Sequence, residues 1–103
     1  MIYIKIHETD KGEIIAMCDE ELIDSVIEEG DLEINIKDYS EFYRGEITSP
    51  EKAKSIIDIS KMFSLNAIGQ ESIKAAISMK IIEKRNIGYI SGIPYAYAVK
   101  LKN

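Results

Sequence analysis

The 103-residue sequence holds one cysteine, one histidine and no apolar run of membrane-spanning length. Each scarcity excludes something. Cys18 has no partner for an internal disulfide, which fits a reducing compartment, because a lone thiol is a liability in a secreted chain. No segment approaches the roughly 18 apolar residues that cross a bilayer as a helix. The start, Met1 to Ile6, lacks the basic residues, apolar stretch and small-residue cleavage site of a signal peptide. A cytoplasmic protein with no membrane association is expected. With His7 and Cys18 alone, a soft-metal site of three or four His/Cys ligands cannot form within one chain. There is no phosphate-binding loop, no spaced glycine fingerprint and no His-Glu-x-x-His. No metal or cofactor is expected.

What is present is ordinary globular material. Hydrophobic residues make up 46% and charged residues 30%, so a folded domain rather than disorder is the reading. The length suits a single domain spanning residues 1–103. The net charge of −5 argues against DNA binding or broad contact with nucleic acid. The charge is also lopsided, about −10 over residues 1–60 and +5 over residues 61–103. Between Lys11 and Lys37 there is no Lys or Arg, while Glu20, Glu21, Asp24 and Glu28 lie in a dense acidic stretch. Such a run is either a solvated face or a docking surface for a basic partner.

Alternation of Ile2, Ile4 and Ile6 with Tyr3 and Lys5 predicts a half-buried strand. A turn at Thr9–Gly12 returns the chain as a second strand to Cys18. Asp19 then reads as an N-cap, and Leu22, Ile23, Val26 and Ile27 as the apolar stripe of a helix stopped by Gly30. Leu32 to Ile36 alternates as a third strand. Tyr39 to Ile47 reads as irregular, with a short strand ending at Ile47. Ser49-Pro50-Glu51 is a strong helix start. A short connection reaches Asn66 and Gly69. A third helix carries Ile73, Ala76, Ile77 and Ile81. Gly88–Ser91 and Ile93–Leu101 close the chain as extended pieces. The order ββαβ(β)ααββ predicts an α+β fold: a small mixed or antiparallel sheet with about three helices.

The sharpest catalytic idea is a Cys18–His7 dyad, and the predicted register removes it. Opposite residues of the first hairpin sum to about 21, so His7 faces Ile14 and Cys18 faces Tyr3. Four residues at about 3.3 Å each separate the pair by roughly 13 Å, too far for a hydrogen bond. Gly69 precedes a helix whose free N–H groups could bind an anion, although Glu71 puts a carboxylate there. Tyr89, Tyr95 and Tyr97, near Lys84, Arg85, Lys100 and Lys102, could stack single-stranded bases, or could be sheet residues. Tyr43 and Arg44 belong to an aromatic loop, and Gly92-Ile93-Pro94 to a tight bend before Tyr95; these are the other candidate contact points.

Several segments together resemble the archaeal family known as domain of unknown function 424. They are Tyr3-Ile4-Lys5-Ile6-His7, Ala16-Met17-Cys18-Asp19-Glu20-Glu21-Leu22 and Glu29-Gly30-Asp31-Leu32-Glu33-Ile34, then Phe42-Tyr43-Arg44-Gly45-Glu46, Asn66-Ala67-Ile68-Gly69 and Gly92-Ile93-Pro94-Tyr95-Ala96. The resemblance implies an archaeal, cytoplasmic, single-domain α+β protein and supplies no activity. In the family the last motif often reads Gly-Gly-Ile/Val-Pro-His-Ala. Ser91 and Tyr95 stand here in place of the first glycine and the histidine, which argues against imidazole chemistry at this bend. The leading expectation is a non-catalytic module binding another protein, with translation as a suggested context. RNA or ribosome association through the basic C-terminal part is the second. A small-molecule enzyme with a carboxylate site between subunits of a homo-oligomer is the third.

Overall fold

Alternating isoleucines open the chain as a hairpin. In the computed structural model, which describes residues 1–100, β1 (Ile2–Thr9) and β2 (Gly12–Asp19) pair antiparallel, with Tyr3 opposite Cys18 and His7 opposite Ile14. The Thr9 hydroxyl accepts from Lys11 N–H and donates to the Gly12 carbonyl, which locks the turn. Gly12 sits at φ +127°, and a Cβ there would come within 2.9 Å of the Lys61 carbonyl oxygen.

The helix expected from Asp19 to Gly30 does not form. A single 3-10 turn, Glu20–Leu22, is followed by a second hairpin, β3 (Val26–Glu29) and β4 (Leu32–Asn35). Asp24 lies at φ +66°, which breaks helical propagation, and Gly30 at φ +60° makes a two-residue hairpin turn with Asp31. The β-branched pair Val26-Ile27 favours the strand. The apolar spacing still finds a core, because Leu22, Ile23 and Ile27 all pack against one sheet face.

The segment read as irregular contains a single helical turn, α1 (Ser40–Tyr43), and an edge strand, β5 (Glu46–Thr48), paired with β1. Ser49 and Pro50 open α2 (Pro50–Ile56) as expected, with the Ser49 hydroxyl accepting from Lys52 N–H at 3.2 Å. The connection expected before Gly69 is instead β6 (Met62–Ile68), which runs parallel to β2 and antiparallel to the last strand. It is covered on both faces, Leu65 and Ala67 on one and Ile68 on the other, so it shows no simple alternation.

The third helix, α3 (Gln70–Ser78), is shorter than expected and stops before Ile81. Lys80 takes the left-handed conformation at φ +61°, Lys80 N–H bonds the Ile77 carbonyl, and Ile81 N–H bonds the Ala76 carbonyl. These two bonds are a Schellman stop. After a 3-10 turn at Lys84–Asn86, β7 (Gly88–Ile90) and β8 (Ile93–Val99) form a hairpin. Ser91 and Gly92 both have positive φ, the geometry of a type I′ turn. Leu101, expected in the last strand, lies outside the described residues, as does Lys102.

The α+β class therefore stands, with a mixed six-stranded sheet in the order β5-β1-β2-β6-β8-β7 and the separate β3–β4 hairpin. Ile2, Ile4, Ile15, Met17 and Leu65 face α2 and α3. Ala16, Cys18 and Ile68 face the β3–β4 hairpin and α1.

One contact ties the centre of the sheet to α3. Because β2 and β6 run parallel, with Cys18 beside Ile68, both strands end at the same margin. There Asp19, buried to 2% exposure, accepts from Glu71 N–H at 3.1 Å, Ser72 N–H at 2.8 Å and the Ser72 hydroxyl at 2.9 Å. Asp19 makes no side-chain cap for the turn that follows it, where the sequence suggests one; its carboxylate instead caps α3, reaching Glu71 N–H 52 residues further on. Gly69, at φ +107°, precedes that helix, and a Cβ there would fall 2.2 Å from the Asp19 carboxyl carbon. Asp19→Ala leaves three donors without their acceptor and should cost about 2–4 kcal/mol in urea unfolding, with Asp19→Asn milder. Gly69→Ala should also destabilise, and by less when Asp19 is already Ala, because the steric clash is then gone. A double-mutant cycle showing simple additivity would refute the coupling.

Candidate functional site

The acidic candidates do not share one helix face. Glu20 and Glu21 are exposed in the 3-10 turn after β2, and Glu28 is exposed in the middle of β3. Asp24 forms an ion pair with Arg44, whose guanidinium also lies 5.5 Å from the Tyr3 ring centroid. This pair fastens the segment before the second hairpin to the chain after α1. Tyr43, expected at a partner surface, is instead buried at 9% exposure among Cys18, Ile27 and Ile68. The single turn of α1 aims its ring inward and leaves Tyr39 outside, at 65% exposure.

The bend candidates are also divided. Gly92 is exposed at the tip of the last hairpin, with open space where a Cβ would project. Pro94 is buried, and its carbonyl accepts from Gly69 N–H at 2.9 Å. Tyr95 lays its ring across Gly88, where a Cβ would come within 2.6 Å of it. The two hairpin tips meet, because the Glu29 carboxylate accepts from Ser91 N–H.

Gly69 does not open onto a free anion site. The Asp19 carboxylate already takes the N–H groups of Glu71 and Ser72, the second and third residues of α3. Around it, carboxylate oxygens of Asp19, Glu21 and Glu71 lie within 4.8 Å of one another, beside a recess of about 350 Å³ that Gly69 and Pro94 also line. Both Asp19 oxygens are engaged by backbone or hydroxyl donors, and Glu71 pairs with the Met1 amino group at 3.0 Å. The hydrogen bonds give Asp19 and Glu71 structural roles, while Glu21 is exposed beside them.

The basic candidates lie elsewhere. Arg85 pairs with Glu83 at 2.6 Å, and Lys84 is exposed in the same 3-10 turn. Lys100 joins Lys11 and Lys61 in an open cleft of about 910 Å³ around Phe63. Glu8, Asp10 and Glu13 line that cleft too, so its positive charge is offset.

The reactive side chains are occupied internally. His7 stacks on Phe42 with centroids 4.7 Å apart, and its Nε2 lies 2.9 Å from the Phe42 carbonyl oxygen. Burial, then the nearby Asp19 and Glu21 charges, push the Cys18 thiol from an ordinary 9.0 up to about 12. Burial, then Cys18, push the Tyr43 phenol from 10.0 up to about 12.

Two features of the second hairpin are invisible in the linear sequence. Glu28 sits directly opposite Glu33 on the outer face, since Ile27 and Ile34, one step along, face the core. Beside β4 lies an apolar groove of about 450 Å³, lined by Ile34, Ile36, Tyr39 and Phe42 with Glu33 at its rim.

The family described as protein of unknown function (DUF424) matches residues 6–101. The chain belongs to this family. An uncharacterized conserved protein from Methanopyrus kandleri has a similar solved structure, with a TM-score of 0.79 at 21% identity, over 99% of this chain and 95% of that one. At that identity the likeness shows the fold. No curated protein matches the chain. Among the described residues, no helix is long and apolar enough to cross a membrane.

The buried thiol and phenol give this family member a testable pH profile. In the folded chain both keep their protons at pH values where the unfolded chain has released them. The folded state then binds more protons, so stability should be unaffected by them below about pH 9 and fall as pH rises towards about 12. Urea midpoints measured across that range check the sign, and Cys18→Ala should flatten the first part of the fall. A thiol reagent that labels the native protein as fast as the unfolded one would contradict the burial of Cys18.

Proposed function

We propose that the chain is a non-catalytic protein-binding module of the archaeal cytoplasm, and that it works through the outer face of the β3–β4 hairpin. The observation that supports this most is the pairing of Glu28 with Glu33. Like charges placed directly opposite in an antiparallel pair destabilise it. Both side chains are exposed, and neither forms an ion pair among the described residues. A basic partner would relieve the repulsion. Glu29, Asp31 and Asp38 add exposed negative charge nearby, and Leu32, at 58% exposure, adds an apolar contact.

The alternatives draw less support. The cleft at Lys11, Lys61 and Lys100 mixes cations with an equal number of carboxylates, which weakens an RNA reading. Asp19 and Glu71 of the carboxylate trio at the start of α3 are held by internal donors, which weakens an acid–base or metal reading.

Charge reversal separates binding from folding. Glu28→Lys and Glu33→Lys should each stabilise the free protein by about 0.2–1 kcal/mol, because each replaces a repulsive cross-strand pair with an attractive one. Each should at the same time weaken binding of a lysine-rich peptide, with the difference shrinking as salt rises. Thermal melts and fluorescence anisotropy measure the two effects. Unchanged peptide affinity in both variants would remove this face from the function.

A further inference from the structure

We propose that the free edge of β4 accepts an extended, basic segment of a partner protein as a third strand of the β3–β4 hairpin. This rests on the protein-binding reading above and specifies its mode.

The argument begins with the ladder. Glu29 and Leu32 flank the two-residue turn Gly30–Asp31 and face each other. The pair closing such a turn is the hydrogen-bonded one, and bonded and non-bonded pairs alternate from there. Ile27 and Ile34 therefore exchange backbone bonds across the hairpin, while Glu28–Glu33 and Val26–Asn35 do not. The N–H and C=O groups of Glu33 and Asn35 point away from β3. β4 pairs with no other strand, and among the described residues no loop or turn bonds those backbone groups. β3 is the strand on the β7 side, as the Glu29 bond to Ser91 N–H shows, so β4 is the outer strand.

The side chains fix the chemistry of the occupant. Along an added strand, alternate residues would lie on the two faces that β4 itself presents. On the inner face the neighbour is Ile34, and beyond it Tyr39 and Phe42 line the groove of about 450 Å³. On the outer face the neighbours are Glu33 and, across the hairpin, Glu28. The complementary segment alternates apolar residues with Lys or Arg. Main-chain bonds to Glu33 and Asn35 would supply affinity, and the groove and carboxylates would supply selection. The competing role for these carboxylates is to guard an exposed edge against self-pairing.

The test uses the whole chain and a labelled, end-capped peptide of alternating lysine and valine, about seven residues long, the usual span of a strand. A second peptide carries N-methyl groups on the residues whose amides would face β4. A third replaces lysine with glutamate. The expected result is binding of the first peptide, a loss of about tenfold or more on N-methylation as two hydrogen bonds disappear, and no binding of the acidic peptide. Amide resonances of Glu33 and Asn35 should shift on binding. Glu33→Pro, which removes the outward N–H together with the carboxylate, should weaken binding more than Glu33→Gln, which removes the charge alone, while a thermal melt shows both variants folded. Equal binding of the N-methylated peptide would overturn strand addition and leave a purely electrostatic docking face. Failure of every basic peptide to bind at low salt would overturn the protein-binding reading as well. Self-association of Glu33→Lys with no change in peptide affinity would assign the carboxylates to edge protection and overturn the proposal.

Discussion

A single buried carboxylate organises this fold. Asp19 ends β2 at the margin where β6 also ends, and it receives the Glu71 and Ser72 N–H groups of α3 and the Ser72 hydroxyl. Free N–H groups at the start of a helix need an acceptor, and the helix dipole favours a negative one. Here the acceptor belongs to the neighbouring strand, so the cap also fixes how α3 lies on the sheet. The requirement propagates to Gly69, where a side chain would enter the carboxylate. It reaches Pro94 as well, whose carbonyl holds Gly69 N–H. The recess beside its three acidic groups adjoins this arrangement.

The surface divides the remaining chemistry. Groups with intrinsic reactivity are turned inward or occupied: Cys18 and Tyr43 in the core beneath the second hairpin, and His7 against Phe42. Carboxylates are turned outward on β3 and β4. Only a few apolar residues, among them Leu32 and Tyr39, accompany them. That division is the basis of the proposed binding role. Its details are not transferable from the Methanopyrus kandleri structure, whose likeness is one of fold.

Much of this architecture could be read from local signals. The first hairpin, its register and the consequent separation of Cys18 from His7 follow from alternation and one turn. Ser49 and Pro50 announce α2, and Gly92 announces the last hairpin. What escaped depends on partners distant in sequence. β6 hides because burial on two faces erases the alternation that would identify a strand. The second hairpin hides because Leu22, Ile23, Val26 and Ile27 satisfy helical spacing, and the backbone at Asp24 and Gly30 decides otherwise. At the candidate site, the acidic stretch was legible from composition. The face-to-face placement of Glu28 and Glu33 and the inward turn of Tyr43 were not, since both follow from hairpin register and packing.

The parallel pairing of β2 with β6 also constrains how the chain assembles. Cys18 and Ile68 become neighbours across a long intervening stretch, so this seam cannot form by zipping from a turn. Closing such a loop carries an entropic cost that purely local hairpins avoid. The N-terminal hairpin and the β7–β8 hairpin each close over a short turn. The seam instead requires distant parts of the chain to meet. Until it closes, α3 lacks its acceptor, so the helix gains its full stability only when the two halves dock. The acidic charge of the first part and the basic charge of the second attract one another during that search. The lopsided charge, whatever it does for a partner, thus favours the closing of this seam.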